Sequence, residues 1–336
     1  MRAAVLRDYK QFPELAEIPV PDPGPGQVLI KVAGAGLCHS DLHLASGEVP
    51  LVPSFPWVLG HEVTGWVEAF GPGAGGLEHG RPVAVYGGWG CGACALCLGG
   101  DEQLCSTTSW VGIGAPGGFA EYLLVPHARH LIPLGDLDPV LAAPLTDAAL
   151  TPYRAVRKAL PHLRPGSKAV VIGAGGLGQC AVQLLRTLSP ARIVAVDTSA
   201  AKRATALELG ADEALDPVDE AARAQLEAWK GASAVIDLVG SDETLRLAAE
   251  LIGTAGLITV VGLAGGSLPF NFLGLAPEAT VTSSSWGNRN ELAEVIQLAQ
   301  QGRIVTRVHE RDLSAAASAF EQLQRGDVDG RIVLVP

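Results

Sequence analysis

Between about residue 149 and residue 286, apolar residues alternate between short solid runs and stretches where they recur at helical spacing. The solid runs are bounded by glycine or polar turn residues and predict buried strands at 168–172, 192–196, 233–238 and 256–262. Positions such as Cys180, Ala181, Leu184, Leu185 and Leu188 follow a helical period, and helices are predicted over 176–188, 199–209, 218–230 and 241–251. Strand and helix in strict alternation define a doubly wound parallel sheet. The pattern before it differs. Short strand-like segments, including Val28–Val32, 58–70 and 83–86, are separated by turn-rich stretches such as PVPDPGPGQ (19–27) and FGPGAGG (70–76). Many short strands with Gly/Pro turns predict a small, partly closed β-barrel. After Trp286 come one predicted helix (290–301) and a strand-like tail, GRIVLVP. The expected division is therefore 1–148 together with 287–336 as one domain and 149–286 as the other.

The first strand of the alternating region runs into Gly173, Gly175 and Gly178, a G-x-G-x-x-G at the head of the first helix. Gly173 allows the tight turn, Gly175 lets backbone approach a pyrophosphate, and Gly178 lets helix pack on strand. With Gly176 and Leu177 between them, these residues open a helix whose free N–H groups and dipole favour phosphate. Asp197 ends the next strand, about 20 residues on, where a carboxylate accepts from the ribose hydroxyls of a dinucleotide. Its charge repels a 2′-phosphate, so NAD is expected rather than NADP. A bare glycine motif is also met in ordinary βα turns; strand, helix, second strand and acid together carry the assignment.

Composition narrows the field. The chain has 336 residues, is 48% hydrophobic and contains 41 glycines, enough for a sizeable core with many tight turns. Its formal charge of −11, without a basic cluster, argues against nucleic acid or anionic membrane as a partner. No apolar run reaches membrane-spanning length. The start, MRAAVLRDYK, carries charges where a signal peptide needs an apolar stretch, so a cytoplasmic protein with reduced thiols is expected.

Four of the six cysteines cluster as Cys91, Cys94, Cys97 and Cys105. C-x₂-C-x₂-C-x₇-C beside glycines lets four thiolates converge tetrahedrally on one ion. Disulfides are disfavoured in a reducing compartment. An iron–sulfur cluster shares the opening spacing, but the x₃ step to a Cys-Pro pair is missing. Zinc is the favoured metal, and four protein ligands leave no open position, so the site is structural. Cys38 in GLCHSDLH and His61 in GHE are weaker signals. A lone cysteine is more often a small buried hydrophobe, and a lone histidine a satisfied core residue. Together they supply two ligands, one short of a catalytic zinc site.

GLCHSD, GHE, the four-cysteine loop, PLTDAALTPY (144–153), GAGGLG and GRIVLVP occur in the order found in the zinc-dependent medium-chain alcohol dehydrogenases. They span nearly the whole chain, and within that family it resembles the bacterial NAD-dependent secondary-alcohol dehydrogenases. The resemblance implies an α/β protein: a Rossmann domain plus a GroES-like, partly closed β-barrel catalytic domain. It makes Cys38, His61 and Asp147 the catalytic zinc ligands, with Asp147 where the animal and yeast enzymes have Cys. Glu62 becomes an alternate or transient ligand. Asp41 becomes the partner that fixes the His61 tautomer, although Ser40 and Asp41 also suit plain helix capping. Ser40 is implied to bond the substrate oxygen and His43 to pass its proton to solvent, with His39 near the pyrophosphate. Lys202 is placed beside the adenosine ribose, Thr151 and Val261-Gly262-Leu263 at the nicotinamide, and Arg331 at the phosphates.

The implied activity is NAD-linked interconversion of a secondary or primary alcohol and its carbonyl compound, with two zinc ions per chain and zinc as Lewis acid. The implied partner is a small alcohol or carbonyl molecule, and relatives form dimers or tetramers. Zinc-free quinone or enoyl reductases lack both metal sets. A polyol dehydrogenase and a non-catalytic dinucleotide-binding redox sensor are the alternatives. Phe55, Trp57, Trp110 and Trp286 are candidate pocket walls, though buried aromatics are more often core.

Overall fold

A computed structural model describes residues 1–336. The chain divides into two compact units, Met1–Leu150 with Gly287–Pro336, and Thr151–Trp286.

The second unit holds six strands in one sheet, all paired parallel. Across the sheet they run Glu213–Leu215, Arg192–Val196, Lys168–Ile172, Ala232–Asp237, Ile252–Val260 and Thr280–Ser283. Numbered along the chain this is 3-2-1-4-5-6, the doubly wound order. The order reverses between Lys168–Ile172 and Ala232–Asp237, next to the glycine turn. Val170, Ile172, Val194, Val196, Val235 and Ile258 are almost fully buried and form the core with Leu215, Leu226, Trp229 and Leu251. Burial on both faces explains why these strands are solid apolar runs rather than alternating ones.

Helices Gly176–Leu188, Ala200–Glu208 and Asp242–Leu251 lie close to their predicted spans. The predicted helix 218–230 is shorter, Glu220–Leu226 followed by a 3₁₀ turn, Glu227–Trp229. That turn seats Trp229 in the core, with its Nε1 donating to Glu213 Oε2 at 3.1 Å. The strand expected over 256–262 begins earlier, at Ile252, and ends at Val260, where the N–H groups of Val261 and Gly262 turn back to Asp237 O.

In the first unit the ten-residue strand Val28–Leu37 is the spine. One edge pairs with Glu62–Phe70. The other pairs first with Tyr122–Val125 and then with Arg331–Val335. Pro82–Val85, Leu131–Pro133 and Val308–Asp312 complete a seven-stranded sheet. Arg2–Leu6, Glu14–Glu17 and Trp57–Val58 form a separate three-stranded sheet, linked to the first by an Ala3–Ala120 bridge. With a two-stranded ribbon, Gly88–Trp89 and Ser109–Trp110, the strands of this unit form three sheets and no closed ring. Tyr86, Phe119, Phe320, Leu6, Ile30 and Leu37 are the large side chains of the core. No helix is long and apolar enough to cross a membrane.

Candidate metal centres and cofactor turn

The four cysteines come from one short excursion whose base is the ribbon of Gly88–Trp89 with Ser109–Trp110. Cys94 caps the short helix Ala95–Leu98, and a 3₁₀ turn, Glu102–Leu104, leads to Cys105. Gly92, at φ +74°, reverses the chain between the first two cysteines. Sγ of Cys91 lies 3.8 Å from that of Cys97, as does Sγ of Cys94 from that of Cys105. Four sulfurs at the corners of a tetrahedron with a Zn–S distance of about 2.3 Å stand about 3.8 Å apart. A disulfide needs about 2.05 Å, and all six cysteines are free thiols. The sulfurs differ in environment. Backbone N–H groups of Cys91 and Thr107 draw Cys105 down to about 6, whereas burial pushes Cys97 up to about 12.

Sequence reasoning missed what ties this excursion down. Glu102 is buried, and its Oε2 lies 3.2 Å from Arg129 Nη2 and 3.1 Å from His130 Nε2. Arg129 Nη2 also donates to Gly90 O at 3.2 Å, so the turn Ala128–His130 holds both sides of the excursion. Nothing in the spacing of Glu102 and His130 marks them as partners.

The second cluster is assembled from distant segments. Cys38 ends the spine strand and caps the helix His39–Ser46; His61 and Glu62 enter the strand Glu62–Phe70; Asp147 follows the 3₁₀ helix Ala143–Thr146. One ligand atom from each of Cys38, His61, Glu62 and Asp147 lies within 4.8 Å of the others, and all four residues are buried. Asp147 Oδ2 is 3.8 Å from Cys38 Sγ and 3.6 Å from His61 Nε2. For zinc bonds of about 2.0–2.3 Å these are again tetrahedral edges. Glu62 is fully buried, its Oε2 has no hydrogen-bond partner, and a Cβ on Gly36 would collide with that oxygen. A buried carboxylate left this way suits a cation nearby. The sulfur, imidazole and carboxylate donors therefore fit zinc.

Asp41 has two tasks. Its Oδ2 accepts the Cys38 N–H at 2.9 Å in a capping box, and its Oδ1 lies 3.3 Å from His61 Nδ1. The capping box is present, and the same carboxylate stands beside His61. Burial opposes a charge on His61, but the carboxylates of Asp41 and Asp147 outweigh it and hold its pKa well above the usual value. Burial likewise opposes ionisation of Cys38, and only the Arg331 charge and His61 together outweigh it and draw the thiol below its ordinary value. Burial pushes Glu62 well above the ordinary carboxylate range despite Arg331. Arg331, implied at the cofactor phosphates, is turned inward and buried, with Nη2 2.8 Å from Glu62 Oε1 and 3.9 Å from Asp147 Oδ2. Its Nη1 donates to Leu37 O at 3.4 Å.

On the helix that Cys38 caps, Ser40 Oγ is 3.7 Å from Cys38 Sγ. His39 is exposed, and His43 Nδ1 lies 2.6 Å from Glu48 Oε2. The candidate aromatics have other contacts: Phe55 packs edge-on against Tyr9, Trp57 Nε1 donates to Gly112 O, and Trp110 pairs with Gly88. Trp286 is buried in the left-handed region, at φ +46°.

In the second unit Gly173 takes φ +90° directly after its strand, and Gly175 caps the helix Gly176–Leu188. A Cβ on Gly178 would collide with Gly173 O, so helix and turn meet there without a side chain. Gly176, Leu177 and Gly178 form the first helical turn, whose N–H groups have no acceptor inside the helix. Asp197 is fixed by two backbone donors, Ala174 N–H on Oδ2 and Ser199 N–H on Oδ1, both at 2.8 Å. Lys202 lies in the next helix, capped by Ser199. The Val261-Gly262 turn abuts the strand end at Val239, Leu263 is exposed, and Thr151 is buried. Sequence reasoning also missed Arg203, which donates to Asp197 O at 2.7 Å and Asp216 Oδ2 at 2.9 Å.

The first unit contains a match to the alcohol dehydrogenase GroES-like domain over residues 24–136, and residues 176–301 match the zinc-binding dehydrogenase domain. The chain belongs to the zinc-dependent medium-chain alcohol dehydrogenase family. It is 38% identical to an NAD-dependent alcohol dehydrogenase of Sulfurisphaera tokodaii, with all of both chains covered. It is 35% identical to a D-arabinose 1-dehydrogenase (NADP(+)) of Saccharolobus solfataricus, covering all of this chain and 97% of that one. Among solved structures, the alcohol dehydrogenase of Aeropyrum pernix superposes with a TM-score of 0.93 at 35% identity over the full length of both chains.

Proposed function

We propose that this chain is a zinc-dependent NAD(H) alcohol dehydrogenase interconverting secondary, or primary, alcohols and their ketones or aldehydes. The convergence of Cys38, His61, Glu62 and Asp147 within 4.8 Å carries the proposal. In this assignment the unit from Met1 to Leu150 with Gly287–Pro336 is catalytic, and the unit Thr151–Trp286 binds NAD. Cys38, His61 and Asp147 hold the catalytic zinc, with Glu62 as an alternate ligand, and Cys91, Cys94, Cys97 and Cys105 hold the structural one. When bound, the zinc acts as a Lewis acid on the alcohol oxygen and the nicotinamide accepts the hydride.

The remaining chemistry belongs to side chains. Asp41 accepts from Nδ1 of His61 and leaves the Nε2 lone pair free for the metal. Ser40 takes the alcohol proton and His43 delivers it to solvent. Gly173, Gly175, Gly176, Leu177 and Gly178 bind the pyrophosphate with His39 nearby, and Arg331 is assigned to the phosphates. Asp197 and Lys202 hold the adenosine ribose; Thr151, Val261, Gly262 and Leu263 border the nicotinamide. Loss of the ribose acceptor in Asp197→Gly weakens NAD binding and narrows its advantage over NADP.

Reduced cysteines and the absence of a spanning helix suit a cytoplasmic enzyme. Exposed Phe270, Phe272 and Leu273, near the edge strand Thr280–Ser283, suit a homodimer or homotetramer. The substrate side is tested by NAD reduction with 1-phenylethanol, 2-octanol, ethanol and sorbitol. The apolar secondary alcohols should have the higher kcat/KM, because an apolar pocket gains about 25 cal/mol per Å² buried and offers extra hydroxyls no partner. A preference for sorbitol would move the protein to the polyol branch, and no turnover with any alcohol by metal-replete protein would overturn the activity.

A further inference from the structure

The helix His39–Ser46 ends against a fold-back of its own chain. Gly47 stops it at φ +82°, with its N–H on Leu44 O. Ser46 Oγ then donates to His43 O at 3.1 Å and accepts the Glu48 N–H at 3.3 Å, and the Val49 N–H reaches His43 O at 3.2 Å. Tyr9 closes the other side: a Cβ on Gly47 would come within 3.1 Å of its ring, which packs at right angles to Phe55. Backbone bonds and neighbours thus return Glu48 to the last helical turn, where its Oε2 lies 2.6 Å from His43 Nδ1.

A carboxylate can only accept, so the hydrogen of this contact sits on Nδ1 and Nε2 carries the lone pair. The two nitrogens diverge across the ring, and Nε2 faces away from Glu48. Glu48 is the one side chain that His43 bonds. Ser40, itself half-buried, lies three residues earlier on the same helix and shares a face with His43. The His43 side chain is 27% exposed and that of Glu48 66%, so the ring is within reach of solvent.

We propose that Glu48 is a positioning residue of the proton relay, a role that rests on the assignment of His43 as the group delivering the alcohol proton to solvent. The carboxylate holds the imidazole with hydrogen on Nδ1 and so keeps Nε2 as the nitrogen that accepts. Ser40 gives a proton to Nε2 as it takes one from the alcohol. The imidazolium keeps its Nδ1–H on Glu48, and the proton on Nε2 passes to water. No bond to Glu48 is made or broken. Without the carboxylate either ring nitrogen can carry the hydrogen, and fewer rings can accept through Nε2.

The test reads the ring by ¹H–¹⁵N correlation on metal-replete full-length protein with ¹⁵N-labelled histidine, about two pH units above the ordinary histidine value. His43 is assigned by the signal that His43→Ala removes. Glu48→Leu takes away the acceptor and keeps the backbone bonds that shape the turn. The unmutated protein should show hydrogen on Nδ1 of His43 and a bare Nε2. Glu48→Leu should move both nitrogens toward an averaged pair, and Glu48→Gln, which restores an accepting oxygen, should recover part of the pattern. In kinetics Glu48→Leu should lower kcat/KM for 1-phenylethanol about two- to fivefold, the scale of an exposed ion pair. In a His43→Ala background the same substitution should add nothing. Hydrogen on Nε2 in the unmutated protein, or a His43 pattern unchanged by Glu48→Leu, would overturn the proposal. So would an equal loss of kcat/KM in the His43→Ala background, since Glu48 would then serve the loop and not the ring. No turnover by the unmutated protein would overturn the enzyme reading as well, whereas turnover with an unmoved ring defeats this inference alone.

Discussion

The two metal clusters are built on opposite plans. The four-cysteine set comes from residues 91–105, and its first two cysteines remain exposed or half-exposed. The other set draws on residues 38, 61, 62 and 147, and every member is buried. The first uses one donor type, with two of its sulfur pairs each 3.8 Å apart. The second mixes thiol, imidazole and carboxylate and sets Arg331 against Glu62 and Asp147. Four identical soft donors close a site and serve stability; a mixed, buried set leaves electrostatic tension that chemistry can use.

The largest expected effects come from removing one ligand of each. Cys38→Ala should lower kcat/KM for a good alcohol about 10³-fold or more, the several kcal/mol that metal polarisation supplies, with little change in the unfolding midpoint. Cys94→Ala should act mainly on stability, removing part of a metal-binding free energy on the order of 10 kcal/mol. Zinc content by elemental analysis, steady-state kinetics and urea denaturation separate the two. If Cys94→Ala lost activity at unchanged stability while Cys38→Ala unfolded, the roles of the clusters would have to be exchanged.

The contrast also explains what was legible in the sequence. Cysteines repeated at x₂ and x₂ state their own convergence, because a chain that short has little choice. Cys38 and Asp147 are separated by most of the first unit, and no spacing rule connects them; the resemblance did, through the context of each. The doubly wound sheet was legible wherever both faces of a strand are buried. Glu213–Leu215 and Thr280–Ser283 escaped, being short edge strands with too few apolar residues to form a run. Helix Ala316–Gln324 buries Ala316, Ala319, Phe320 and Leu323 at helical spacing, but half of that face is alanine, which marks it only weakly as apolar. The partnerships of Glu102 with His130 and of Arg331 with Glu62 were invisible, since charged pairs across a fold leave no local pattern.

A smaller effect sharpens the stability role of the four-cysteine excursion through its anchor. His130 titrates near pH 4 in the folded protein and at its ordinary value of 6.5 once unfolded. Between those values the unfolded chain binds the extra proton, so stability falls as pH drops through the window and is unaffected above it. The shift corresponds to about 3 kcal/mol at its full extent. Glu102, whose pKa is depressed, adds its own loss in the same direction as pH falls below about 4.5. His130→Gln keeps a donor for Glu102 but does not titrate, so its urea midpoint should fall less than that of the unmutated protein between pH 7 and pH 4.5. Parallel pH curves for the two proteins would rule the imidazole out as the source.

The smallest effect falls on the buried cluster and tests whether orientation, rather than ligand identity alone, sets it apart. Asp41 Oδ1 lies 3.3 Å from His61 Nδ1 and also receives the Gly60 N–H at 3.3 Å. An aspartate in that position can only accept, which obliges Nδ1 to carry the proton and Nε2 to face Asp147, 3.6 Å away. Asp41→Asn keeps the volume and the capping oxygen for the Cys38 N–H, yet removes the charge and offers an N–H₂ that can turn toward Nδ1. The tautomer is then no longer imposed, and second-layer changes of this kind cost about 10–100-fold in metal affinity or activity. Zinc affinity measured by chelator competition should fall by that amount, while the four-cysteine site keeps its ion and the unfolding midpoint stays within the range of a surface substitution. Unchanged zinc affinity together with a lowered midpoint would reduce Asp41 to the capping residue of its helix.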